Sequence, residues 1–198
     1  QTLVDGQPED EVRKACRLEV RAAIAQALGQ DARALIDEGL GFAKSELTAT
    51  VRWDLELLRV RYERDTCIAL AQLRRLRERA AELDTPWRLV SVDADRLQRL
   101  VDDREFPLDA HEVAEFEHAA RRWRVLGVSL PQQLHIAARS WEALGRGADA
   151  RRCLTEAMQV LLTTANLYLP DDYRDGYLER LPAHRAIRRD ASLKSIHL

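Results

Sequence analysis

The chain has 198 residues, 46% of them hydrophobic, enough apolar mass for a continuous core and too much for a disordered segment. Its 31 Lys and Arg nearly balance 33 Asp and Glu, and the net charge of -2 gives no global field to draw in nucleic acid or an anionic membrane. Only 8 Gly and 6 Pro interrupt a sequence dominated by the strong helix formers Ala, Leu, Arg and Glu, so the expected fold is all-α.

In chain order, residues 1–8 read as a tail. Pro8 and the acids after it dress the start of a first helix, with Val12, Ala15/Cys16, Leu18 and Ala22/Ala23 at helical spacing and Gly29 as the stop. A second helix follows after two residues, with Asp31 as its expected N-cap and with Gly39 and Gly41 each weakening its middle by about 1 kcal/mol. So short a break forces an antiparallel hairpin, 9–45. "TATVRWDLELLRVRYER" and "CIALAQLRRLRERAAEL" form a second, 47–83, with Asp65 capping its second helix. Thr85-Pro86 opens a third, 86–126, whose second helix begins at Asp109 after "DDREFPL". The fourth, 131–164, turns at Gly145 and Gly147, and 165–198 provides short capping helices and a tail beyond Pro170.

In the fourth unit, Leu134, Ala138, Trp141, Gly145, Ala150, Leu154 and Ala157 fall at the large, small, aromatic and turn positions of a hairpin that resembles a tetratricopeptide repeat. Leu18, Ala25, Gly29 and Ala34 occupy the corresponding offsets in the first unit, and Trp53, Val60, Asp65, Ala69 and Leu73 in the second. Ala34 and Ala69 lie 35 residues apart, close to that family's period of roughly 34. Glu38 and Gly41 stand where a bulky residue and an Ala belong, which fits a divergent cap. The resemblance implies antiparallel hairpins stacked over 9–164 as a short α-solenoid with terminal capping helices. The tail "LPDDYRDGYLERLPAHRAIRRD" is similar to the ends of such arrays in multi-domain bacterial signalling proteins, and the start at Gln1 also reads as a piece of something longer.

Chemistry-bearing stretches are few. His111, Glu115 and His118 share one helix face at i, i+4 and i+7, a spacing that can hold a metal, but the second E-x-x-H of a di-iron site is missing. No Gly-x-Ser-x-Gly or phosphate-cradling loop occurs, and neither an enzyme nor a cofactor is expected. The turn around Gly127 has the outline of a helix-turn-helix, yet its second helix offers only Arg139 to read bases, so nucleic acid is not an expected partner. Cys16, Cys67 and Cys153 form no C-x-x-C and read as small hydrophobes of a reducing, cytoplasmic environment. No run is long and apolar enough to span a membrane.

The family resemblance implies a protein-interaction scaffold whose first helices line a concave groove. Its places carried onto this chain are Asp54, Leu58, Arg61 and Tyr62; Arg88, Asp95 and Arg99; and His135, Arg139 and Glu142. Their cations suit an acidic segment of a partner protein or of a neighbouring domain of the same protein. A helical oligomerisation domain is the alternative, and a metal-binding bundle the third reading. Expected core residues are Leu18, Trp53, Val60, Leu73, Leu97, Leu134, Trp141, Ala150, Leu154 and Ala157.

Overall fold

The computed structural model describes residues 8–82, 85–123 and 130–196. Most of the expected tail 1–8, the turn around Gly127 and the ends of the second and third hairpins lie outside them. The described residues are all-α: α1 (Pro8–Ala27), α2 (Arg33–Phe42), a 3-10 turn (Glu46–Thr48), α3 (Ala49–Val60), α4 (Thr66–Glu82), α5 (Pro86–Asp102), α6 (Ala110–Arg122), α7 (Leu130–Ala143), α8 (Gly147–Tyr168), α9 (Asp171–Arg180) and α10 (Pro182–Leu193). None of these helices is long and apolar enough to cross a membrane.

Local chemistry accounts for the boundaries. α1 and α7 end in the same way: Gly29 and Gly145 take φ of 75° and 74°, a left-handed conformation that costs a side-chain-bearing residue about 1–2 kcal/mol. This lets the Gln30 and Arg146 N–H groups donate to the Ala25 and Trp141 carbonyls, both at 2.8 Å. Asp65 caps α4 through the Ile68 N–H, and Asp109 caps α6 through those of His111 and Glu112. Asp31 lies one residue too early to cap α2; it accepts from the Arg33 N–H and pairs with the same residue's guanidinium. The Thr85 hydroxyl donates back to the Ala80 carbonyl, leaving Pro86 alone to preset the start of α5.

The chain divides into two compact units, the first ending at Gln72 and the second beginning at Leu73. The division falls inside α4, within the expected second hairpin, 47–83. In the first unit α1, α2 and α3 each pack on the other two around Ala15, Ala22, Ala25, Ala32, Ile36, Val51, Leu55 and Leu58. Ala34, which matched the repeat offset, is exposed; the buried small residues here are Gly39 within α2 and Ala32 at its N-cap. A Cβ at Gly39 would lie 2.8 Å from Leu55 Cδ1 and 3.3 Å from Leu18 Cβ, whereas at Gly41 it would meet nothing within 4 Å. Gly39 therefore permits a close approach and Gly41 only loosens the helix. Gly41→Ala should raise stability by about 1 kcal/mol. Gly39→Ala should forfeit that gain to overpacking and lie at least about 1 kcal/mol below it in urea denaturation. Equal midpoints would mean that Leu55 moves aside freely.

In the second unit α7 is central, packing on α5, α6, α8 and α10, while α8 also packs on α9 and α10. Its core joins Val90, Leu97, Val113, Phe116, Leu134, Trp141, Leu154 and Leu161 with the alanines 94, 120, 137, 138, 150 and 157. Small residues on α7 and α8 let these two helices make the unit's most extensive contact. All ten expected core residues are buried.

Candidate partner-binding surface

α7 buries Leu134, Ala137, Ala138 and Trp141, and the same register sets His135, Arg139 and Glu142 along an adjacent face at i, i+4 and i+7. The structure brings each of the three to a neighbouring helix. Arg139 donates to Asp102 of α5 at 2.7 Å, His135 Nε2 lies 2.8 Å from Asp190 of α10, and Lys194, just past α10, pairs with Glu142. α5, α7 and α10 are thus joined edge to edge by a polar row.

The row is held with different strengths. Arg139 and Asp102 are 33% and 54% exposed, a solvent-screened pair worth no more than about 1 kcal/mol. His135 is buried, and burial pushes its pKa below the usual value despite the opposing pull of Asp190. The Asp190 carboxyl is raised by burial but lowered further by hydrogen bonds from His135 and Arg189, so it is ionised at neutral pH and can only accept. The proton between them therefore sits on His135 Nε2.

The other expected groove residues are drawn into the fold. Leu58 belongs to the core of the first unit because α3 presents it inward beside Leu55. Arg61 donates to the Gln26 side chain at 2.6 Å, and the Tyr62 hydroxyl accepts from the Ala32 N–H at 3.0 Å and donates to the Gln30 carbonyl at 3.3 Å. Arg61 thereby fastens the end of α3 to the last turn of α1, and Tyr62 fastens it to the turn that follows. Arg88 is buried, Asp54, Asp95 and Arg99 are half-buried, and all four have interaction partners of their own. Of the expected groove cations, Arg61 lies in the first unit and Arg99 and Arg139 in the second, and the Arg61 and Arg139 guanidinium groups already have an acceptor inside the chain.

His111, Glu115 and His118 are exposed on α6, with His111 Nε2 3.4 Å from Glu115. Among the described residues no three His, Cys, Asp or Glu side chains are grouped to hold a metal ion.

The residue that sequence reading passed over is Glu117, in the same stretch of α6. It is 6% exposed. Its carboxylate receives the Trp141 indole N–H at 2.7 Å, Arg121 at 2.5 Å, and Arg152 through two bonds at 2.5 and 3.1 Å. Burial raises the carboxyl pKa, but hydrogen bonds from Arg152, Trp141 and Arg121 outweigh it and hold the group at about 2. Arg121 extends the network to Glu156. Neighbouring Cys153 is pushed up to about 12, first by burial and then by the charge on Glu117, which leaves its thiol protonated and inert. The acceptor sites of Glu117 are filled by α6, α7 and α8, which makes it a clamp rather than a reactive group. A buried tryptophan calls for an acceptor, and Glu117 and Arg121 stand at the i, i+4 ion-pair spacing; which acid answers Trp141 is set by packing.

Comparison with known proteins finds no matching family model, no matching curated protein and no matching solved structure.

Proposed function

We propose that the chain is a protein-interaction module built of tetratricopeptide-like hairpins, in which α5, α7 and α10 offer a polar face to an extended segment of a partner protein. The observation that carries this reading is the ion-pair row. Asp102–Arg139 joins α5 and α7, which in the family resembled would be successive first helices lining the inner surface, and His135–Asp190 and Glu142–Lys194 extend the row to the capping helix α10. A similar tail closes such arrays in bacterial signalling proteins, which favours a regulatory role. The row alters the expected partner. Its cations are matched by acids of the chain itself, so a complementary segment carries both signs of charge and gains from correct alignment more than from net attraction.

Arg139→Asp should leave helicity intact and cost about 0.5 kcal/mol of stability. The double exchange Asp102→Arg with Arg139→Asp restores the pair in reverse and should recover that stability. Proteins captured by the unaltered chain from a lysate of the source cells should be lost with both variants, because the reversed pair presents the wrong signs. Capture retained by the double exchange would assign the pair a structural role only and remove the row as the binding surface.

A further inference from the structure

We propose that the outer face of α1 docks an amphipathic helix of a partner protein whose apolar stripe is flanked at one end by acidic residues. This surface lies in the first unit and stands apart from the reading of the α5–α7–α10 row. α1 buries Ala15, Leu18, Ala22 and Ala25 against α2 and α3, which is the side that a three-helix unit needs. The opposite side of such a helix is ordinarily polar. Here it carries Val20, Ile24 and Leu28, four residues apart and 53%, 56% and 43% exposed. At this spacing the three form one continuous strip, long enough to meet two turns of a facing helix.

The strip is charged at one end only. Arg17 lies three residues before Val20 and Arg21 three before Ile24, both exposed, and these separations put them on the same face. A complementary helix presents aliphatic side chains over Ile24 and Leu28 and carboxylates beside Arg17 and Arg21, short of the acids at the start of α1. There the exposed guanidinium groups of Arg17 and Arg21 supply the complementary charge. A second copy of the chain fits less well: in parallel it sets Arg17 and Arg21 against themselves, and in antiparallel it sets them over the other copy's aliphatic end. A lipid surface is disfavoured because the strip holds no aromatic residue.

The full chain can be titrated with two labelled synthetic peptides of 18 residues or so, each with a leucine stripe at helical spacing, one ending in glutamates and the other in lysines. Fluorescence anisotropy should show the glutamate peptide binding at least tenfold more tightly. Ile24→Ser should weaken it by tenfold or more, and Arg17→Glu with Arg21→Glu should reverse the preference toward the lysine peptide. All these positions are exposed, and circular dichroism should confirm unchanged helicity. Equal binding of the two peptides, or binding indifferent to Ile24→Ser, overturns the proposal. So does a concentration-dependent dimer in sedimentation, or co-sedimentation with phosphatidylserine vesicles, that Ile24→Ser abolishes; these outcomes would make the occupant a second copy or a lipid surface.

Discussion

Glu117→Ala should destabilise the second unit by about 3 kcal/mol, the size of effect expected when one partner is removed from a buried ion pair. The loss is large because three donors converge on that carboxylate. Without it the Trp141 indole N–H is left in the interior with no acceptor, and Arg152 keeps only its 3.3 Å bond to Asp149. Arg121 retains Glu156 and should suffer least. Glu117→Gln preserves shape and the bond from Trp141 but removes the charge, so it should fall between the native chain and the alanine variant. The sign of the pH dependence follows from the depressed pKa. Glu117 binds its proton less readily folded than unfolded, so its contribution is complete above about 4.5 and disappears as pH falls toward about 2. Urea denaturation at pH 7 and pH 3 should therefore show a smaller difference for Glu117→Ala than for the native chain. Equal differences would mean that the carboxylate is not ionised in the fold.

Ala150→Trp should cost about 3 kcal/mol and blur the near-ultraviolet circular dichroism of the tryptophans. Ala150 is 1% exposed at the start of α8, in the same core as Ala137, Ala138 and Trp141 of α7. Native interiors leave no room for an indole at such a position, so either the two helices separate or neighbouring side chains leave their rotamers. Ala148→Trp, two residues earlier and exposed, supplies the control and should change stability by no more than about 0.5 kcal/mol. If the two variants melt together, Ala150 is not at the crossing.

The helices and their ends were readable from local chemistry. Pro8, Gly29, Asp65, Asp109, Gly145 and Pro170 act on backbone groups within a few residues of themselves, so their effect survives without any knowledge of the rest of the chain. Burial was readable for the same reason: helical periodicity separates an inward from an outward side, and Leu18, Trp53, Leu97, Leu134 and Leu154 are all inside. Periodicity failed where a helix has more than one neighbour. Ala34 matched the repeat spacing yet is exposed, because the approach of α2 to α1 and α3 is made at Ala32 and Gly39. His135 and Leu58 were expected at an open surface and are buried, one by α10 and the other by the three-helix core of the first unit.

Charge was the least legible property. The sequence offered Arg61 and Arg139 as cations for a partner and gave Glu117 no role. Tertiary structure decided otherwise by bringing Gln26 to the first, Asp102 to the second and two arginines with an indole to the third. All of these pairs except Glu117–Arg121, one helical turn apart, are 24 to 37 residues apart in sequence. A pattern of 3.6 residues per turn carries no information across such separations, and a long side chain finds its partner only after the helices have docked.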